Sequence, residues 1–426
     1  MDLKSLRNLV GGNKVALPPL ETMPLASATM LEEIAKPDVS VIRIVEMLIV
    51  EAYGLRASDI HLDPRHDGIL ARFRIDGVLQ DSYLFPKKIQ NEIISRLKIL
   101  SGLRTDEHQA AQDGRFRITT EVGSIDVRVS IVPTYYGENS VMRLLSENAE
   151  EFTLESLNFT PENEEKILRA IKKPYGMVLA TGPTGSGKTT TLYTIVKMLH
   201  KPGISIITLE DPIEYSIPGI NQIQVNSRTN LTFENGLRSL LRQDPNIIMV
   251  GEIRDVETAG LAVNTALTGH LVLSTLHTND APTTLPRLLD MKVEPYLIAS
   301  TVNVAIGQRL VRRICKHCKD FREMTKGEEK SLAEVLPKEL LASHAKVHFG
   351  RGCEKCLKSG YLGRAGIQEV MEIESVVREA ILGKASASEI RRVAISQGMT
   401  PILEDGLRKA AKGITTIEEV LRMRYE

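Results

Sequence analysis

Eight consecutive residues limit what this chain can fold into more than any other feature. Gly182, Pro183, Thr184, Gly185, Ser186, Gly187, Lys188 and Thr189 fit the pattern G-x-x-x-x-G-K-[ST] at every position. A short apolar run precedes them and a helical stretch begins at their end, so the loop joins a strand to a helix. Glycines remove the Cβ atoms that would keep a phosphate away from the main-chain N–H groups. The helix N-terminus adds a favourable dipole. Lys188 is expected to reach the β- and γ-phosphates of a nucleotide, and the Thr189 hydroxyl to bind Mg²⁺, with Thr190 completing the contact set.

The surrounding pattern agrees with this expectation. Short apolar strands at 177–180, 204–209, 247–250 and 271–276 alternate with helices. That alternation predicts a parallel sheet covered by helices. Ligands of such sheets sit at the carboxyl ends of the strands. Glu210 stands at one strand tip and is the candidate to orient an attacking water. Glu252 follows the 247–250 strand after Gly251, where a carboxylate suits Mg²⁺ coordination through water. The two acids could exchange these roles. Asp255 is read as an N-cap without chemistry. His277, at the carboxyl end of the 271–276 strand, is placed to sense a γ-phosphate, whereas His270, at the other end, reads as structural.

The chain has 426 residues, more than one ordinary domain needs. It carries 54 basic and 54 acidic side chains, and a net charge of zero argues against a dedicated nucleic-acid binder. No run approaches the ~18–20 apolar residues of a membrane span. The N-terminus lacks the apolar core of a signal peptide, so a cytosolic location is expected. Residues 1–38 read as a short helix and linker broken by Gly11, Gly12, Pro18, Pro19 and Pro24. A helix is expected over 41–53. Alternating strands follow at 69–75 and 125–131, with a further strand at 141–145. Asp76-Gly77 marks a hairpin, and a helix is expected over 87–101.

The four cysteines, Cys315, Cys318, Cys353 and Cys356, form two C-x-x-C pairs. In a reducing compartment these read as a tetrahedral zinc site before they read as disulfides. The 34 residues between the pairs suggest a helical excursion carrying Leu332, Val335, Leu336, Leu340 and Leu341. Arg312, Arg313, Lys316, Lys319, Lys355 and Lys358 flank the thiols, and their charge is expected to lower the thiol pKa values. No open coordination position is implied, so the metal is expected to be structural.

Taken together these motifs resemble the secretion ATPase superfamily, the motors of type II secretion and type IV pilus assembly. GPTGSGKTTT, ITLEDPIEY, RQDPNIIMVGEIRD and TGHLVLSTLHTN carry the likeness in one half. ASDIHLDP (57–64), QDGR (112–115) and VRVSIVPTYYGENSVMRLL (127–145) carry it in the other. The resemblance implies an α/β fold: a RecA-like P-loop NTPase domain with a parallel sheet, preceded by a smaller PAS-like α/β domain. It also implies a homo-hexameric ring with ATP between the two domains and near a neighbouring subunit.

By motif position, Arg128 and Arg143 are the arginines such motors close onto the nucleotide, a task suited to guanidinium groups. A solvated strand face is the plainer reading of both. Arg115 is a weaker candidate. Arg238, Arg242, Arg254 and Arg364 look like the family's interface arginines. The cysteine module marks assembly motors, while retraction motors generally lack it. Assembly motors often carry a folded N-terminal docking domain; here only a linker-like stretch of about 40 residues precedes the core.

The organisation expected is therefore a linker at 1–38, a PAS-like domain at 39–158, an ATPase core at 159–310, a zinc module at 311–366 and a helical region at 367–426. The function expected is ATP hydrolysis, with Mg²⁺ and Zn²⁺, driving pilus or pseudopilus assembly. The motor would act through an inner-membrane platform protein from the cytoplasmic side, peripherally and without nucleic acid. A retraction motor, a RecA-like DNA translocase and a nucleotide-gated scaffold are the rival readings.

Overall fold

A computed structural model describes residues 27–36, 38–120, 123–146, 152–327, 329 and 346–423. The chain divides into two units, Met1–Ala149 and Glu150–Glu426. Most of the expected linker, and the apolar excursion at 332–341, lie outside the described residues.

The first unit is a six-stranded antiparallel sheet with helices. Helix α1 (Ala28–Ile34) is capped by the Ser27 side chain and buries Met30 and Ile34, so the end of the expected linker is packed structure. Its start is held at Tyr83, whose hydroxyl accepts from Ser27 N at 2.8 Å and donates to Glu51 at 2.5 Å. Helix α2 (Val41–Gly54) is capped by Ser40 and buries Ile44, Val45, Leu48, Ile49 and Ala52, the face its apolar spacing predicts.

Strands β1 (Ala57–Pro64), β2 (Gly68–Ile75) and β3 (Val78–Pro86) follow. Asp76 and Gly77 turn β2 into β3 with φ of +49° and +87°, the left-handed pair a tight hairpin requires. The expected helix at 87–101 begins as a 3₁₀ turn, Lys87–Ile89, and continues as α3 (Gln90–Leu100). Strands β4 (Gln112–Thr120), β5 (Gly123–Thr134) and β6 (Gly137–Ser146) complete the sheet in the order β3-β2-β1-β6-β5-β4.

The second unit begins with α4 (Pro161–Ile171), capped by Thr160. Its seven-stranded sheet is built from β7 (Gly176–Thr181), β8 (Ile206–Glu210), β9 (Asn221–Gln224), β10 (Ile247–Val250), β11 (Leu271–Leu276), β12 (Val302–Ile314) and β15 (Tyr361–Glu372). The order is β15-β12-β7-β11-β10-β8-β9. All neighbours run parallel except β15, which pairs antiparallel with β12.

Helices α5 (Lys188–Leu199), α6 (Phe233–Leu240), α7 (Val256–Leu267), α8 (Ala281–Asp290) and α9 (Pro295–Thr301) link the strands. Both faces of the sheet are covered. Met177, Leu179, Ile248 and Val272 lie in one core, while Val178, Ala180, Met249 and Leu273 lie in the other. Strands buried on both sides must be apolar throughout, which is why these runs do not alternate.

A two-stranded ribbon, β13 (Lys319–Glu323) with β14 (Lys346–Gly350), projects beyond β12. The unit ends with α10 (Ser375–Leu382), α11 (Ala387–Ser396), α12 (Ile402–Ala411) and α13 (Ile417–Arg422). Leu407 and Val420 from the last two pack on Val311 and Ile367.

Candidate active site

The chain leaves β7 at Thr181 and enters α5 at Lys188. Between them Gly182, Gly185 and Gly187 take φ of +144°, +77° and +86°. A Cβ at Gly182 would strike the Gln308 main-chain oxygen, and one at Gly187 would come within 2.7 Å of Gln308 Nε2. The loop is thus walled from behind by β12. Gln308 is itself fixed by Thr191 of α5, whose hydroxyl donates to Oε1 at 2.7 Å. Nothing lies within 4 Å of a Cβ built at Gly185, so the other side of the loop is open. Pro183, Thr184 and Gly185 are exposed there, Ser186 is buried, and Thr189 and Thr190 are half-buried in the first helical turn.

Lys188 is 8% exposed and donates to the carbonyls of Gly182 (2.8 Å) and Pro183 (3.0 Å). Burial draws its pKa below the usual lysine value; the Glu252 carboxylate opposes this and the Arg309 guanidinium adds to it. Glu252 and Arg309 are therefore both close enough for Lys188 to feel their charge. Arg309 and Gln308 escape sequence reasoning, because nothing local marks a Gly-Gln-Arg step within a long strand.

The two expected carboxylates have different surroundings. Glu210, at the tip of β8, is 2% exposed. Its Oε1 accepts from Thr208 Oγ1 at 2.5 Å and Gln222 Nε2 at 3.2 Å, and its Oε2 accepts from the Tyr193 hydroxyl. Glu252 lies two residues past β10, with one oxygen 2.9 Å from His277 Nε2 and the other 2.6 Å from the Arg254 guanidinium. Its side chain is 12% exposed and that of His277 47%, so this pair faces the solvent side. His270 lies at the far end of β11, with Nδ1 3.1 Å from Thr265 O, as a structural role requires. Asp255 caps α7 by accepting from Thr258 N at 2.7 Å.

In the first unit, strand register brings the expected arginines together. Arg115 pairs with Arg128, Arg128 with Arg143, and Arg143 with Asp59 across four adjacent strands. Directly paired residues share one face of the sheet. Arg143 Nε donates to Asp59 at 3.1 Å. Three arginines in a row repel one another, an arrangement that suits an anionic partner. Arg238 pairs with Glu234 at 2.9 Å. Arg242 donates to the Arg238 carbonyl at 3.0 Å. Arg364 is exposed on β15, opposite Arg312.

The four cysteines converge. Their Sγ atoms all lie within 4.8 Å of one another. Cys315–Cys353 and Cys318–Cys356 are 3.8 Å apart and Cys353–Cys356 3.6 Å. A tetrahedron with metal–sulfur bonds of ~2.3 Å has edges of about 3.8 Å. The set therefore fits a four-thiolate metal and is too wide for disulfides. The expected lowering of the thiol pKa values is seen at Cys356, and it does not come from basic neighbours. Burial raises Cys315, and takes Cys318 up to about 12. Burial also pushes Cys356 up, but main-chain hydrogen bonds at Cys353 and Gly360, together with the Cys353 and Cys318 thiols, outweigh it and bring the thiol down to about 7. Arg312 instead binds Glu419 through its Nε (3.0 Å) and Nη2 (2.7 Å).

The family model described as Type II/IV secretion system protein matches residues 35–422. The type IV pilus assembly ATPase PilB of Thermus thermophilus is 46% identical over 384 residues, which is 90% of this chain but 43% of that protein. The type II secretion system ATPase E of Vibrio cholerae is 43% identical over 393 residues, covering 92% of this chain and 77% of its own. This chain thus spans less than half the length of the first of these relatives. Among solved structures, the pilus retraction motor PilT with bound ADP superposes with a TM-score of 0.60 at 25% identity. That match covers 88% of this chain and 96% of PilT.

A lysine whose folded pKa is depressed destabilises the fold while the unfolded chain keeps it charged. The penalty is full below the depressed folded-state pKa and fades as pH rises from there toward the unfolded value of 10.5. Lys188→Met is therefore expected to keep or raise the thermal midpoint of the nucleotide-free protein at pH 7, while abolishing any rise brought by Mg-ATP. Differential scanning fluorimetry with and without nucleotide measures both; a large fall without nucleotide would contradict the burial argument.

Proposed function

The chain belongs to the type II/IV secretion system protein family, and from that premise we propose that it is an ATP-hydrolysing motor. It drives assembly of a type IV pilus or a type II secretion pseudopilus through an inner-membrane platform protein. The observation that carries this reading is the gathering of the glycine loop, Lys188, Glu252 and His277 at one edge of a parallel sheet. The four-cysteine cluster favours an assembly motor over a retraction motor, and the absence of a basic surplus disfavours a DNA translocase.

In this reading the main chain of residues 182–190 holds the triphosphate. Lys188 exchanges the carbonyls of Gly182 and Pro183 for phosphate oxygens. Thr189 and, through water, Glu252 would hold a magnesium ion, which supplies positive charge against the phosphates when bound. Glu252 is the general base and His277 orients it and senses the γ-phosphate. Glu210 is the brace that fixes β8 to α5 through Tyr193. Glu252 thus takes both roles first expected of the two acids, and Glu210 neither. The reason is burial: both acids have engaged oxygens, but a base must meet water, and Glu210 is 2% exposed where the Glu252 side chain is 12% exposed beside the half-exposed His277.

The PAS-like domain expected over 39–158, whose strands end with the first unit before Glu150, supplies Arg128 and Arg143 to the phosphates in this reading. Six chains form a ring, with Arg238, Arg242, Arg254 and Arg364 at subunit interfaces. Cys315, Cys318, Cys353 and Cys356 hold a structural zinc, which cross-links two strand ends when bound. Among the described residues no helix is long and apolar enough to cross a membrane. In the proposed reading, membrane association is through the platform protein, at the cytoplasmic face.

Glu252→Gln is expected to bind ATP with near-normal affinity and to hydrolyse it at least about a hundredfold more slowly. Fluorescent-nucleotide titration beside steady-state ATPase rates measures the two quantities. Normal turnover here, with the loss appearing in Glu210→Gln, would return the base to Glu210.

Arg128→Ala and Arg143→Ala are expected to bind ATP and form rings but to lose turnover on the order of 10³-fold. Unchanged kcat in both would leave the arginine row as a solvated face.

Purified wild type is expected to carry about one zinc per chain, and Cys318→Ser much less, by elemental analysis. A metal-free wild type prepared under reducing conditions would remove the zinc assignment.

A further inference from the structure

Glu369 is completely buried on β15, directly opposite Gly307 of β12. Its Oε1 accepts from Ala281 N, the first residue of α8, at 2.7 Å. Its Oε2 accepts from Ile402 N, the first residue of α12, at 3.1 Å. One buried carboxylate thus fastens the N-termini of two helices that are otherwise far apart in the chain. Both helix dipoles favour a negative charge there. A Cβ at Gly307 would lie 2.9 Å from Glu369 Oε1 and 3.0 Å from Ala281 N, so the glycine makes room for the contact.

Each side of this carboxylate leads to a different place. On the α8 side, Thr278 contacts Thr181 at the end of β7, and His277 contacts Glu252. Asp280 caps α8 and pairs with Arg391 of α11. The residue after Gly307 is Gln308, which backs the glycine loop, and the next is Arg309, which donates to the Asn279 carbonyl at 3.4 Å. On the other side, α12 is a rigid rod whose far end turns at Gly413. There Ile414 O accepts from Ile314 N at 2.9 Å, one residue before Cys315.

We propose that Glu369 is a positioning residue that carries the nucleotide state of the active site through α12 to the cysteine module. This rests on the nucleotide-site reading above. When the histidine loop shifts against a γ-phosphate, α8 moves with it. The shared carboxylate then moves the start of α12, because neither oxygen can abandon its buried N–H without leaving it unpaired.

Hydrogen–deuterium exchange of the full chain, with and without a non-hydrolysable Mg-ATP analogue, tests the link. In wild type the analogue is expected to slow exchange at 182–192 and, by about tenfold, at 402–408, the scale of one hydrogen bond to a charged group. Glu369→Gln is expected to keep the first response and lose the second, with kcat reduced and KM unchanged. Ile402→Pro is a second variant. Proline is tolerated at the first helical position and removes the N–H that Glu369 holds on α12. It is expected to lose the 402–408 response with the active site untouched. Because the Ile402 side chain also packs on the Val311–Ile367 core, Ile402→Ala, which trims that side chain but keeps the N–H, is the control expected to retain the response.

A residue that merely capped two helices would lower the thermal midpoint but leave the 402–408 response intact in both variants, and that outcome would overturn the proposal. Protection at 182–192 alone in wild type would overturn the coupling and leave the active site standing. No protection anywhere in wild type would overturn both.

Discussion

Parallel pairing in the second sheet is the constraint on which the rest of this structure depends. Strands β12, β7, β11, β10 and β8 all run the same way, so their carboxyl ends open on one edge. The glycine loop, Glu210, Glu252 and His277 each follow or end a different strand, yet arrive as neighbours. Such pairing needs a crossover helix between strands and an apolar covering on both faces. The sheet interior therefore carries little that can react, and the chemistry is confined to the edge loops.

Burial then divides labour among groups of the same type. Glu210 and Glu252 are both glutamates at strand ends. One is closed in by Tyr193, Thr208 and Gln222, while the other faces His277 and the charge of Lys188. A carboxylate with its lone pairs engaged in a dry setting braces the structure. One left at the edge can polarise water. Glu369 extends the same principle, since a buried acceptor with two obligatory donors is a mechanical joint between the elements that supply them.

The cysteine cluster and the arginine row follow different logic. The four thiols are held by short turns at Cys315–Cys318 and Cys353–Cys356, and the β13–β14 ribbon between them sets the gap. The arginines sit side by side on β4, β5 and β6, with Asp59 of β1 beside the last of them.

By itself the sequence determined the glycine loop between strand and helix, the parallel α/β architecture around it, the caps such as Asp255, the hairpin at Asp76-Gly77 and the metal-fitting thiols. Each is written in contiguous residues, because loop dihedrals, helix capping and ligand spacing are local demands. The tertiary structure alone decided which acid is the less buried, that Gln308 backs a loop more than a hundred residues earlier, and that Arg115, Arg128 and Arg143 form one row. It also decided that burial rather than neighbouring charge governs Cys315 and Cys318. These depend on which distant strands pair and what they exclude from solvent, and no local pattern records either.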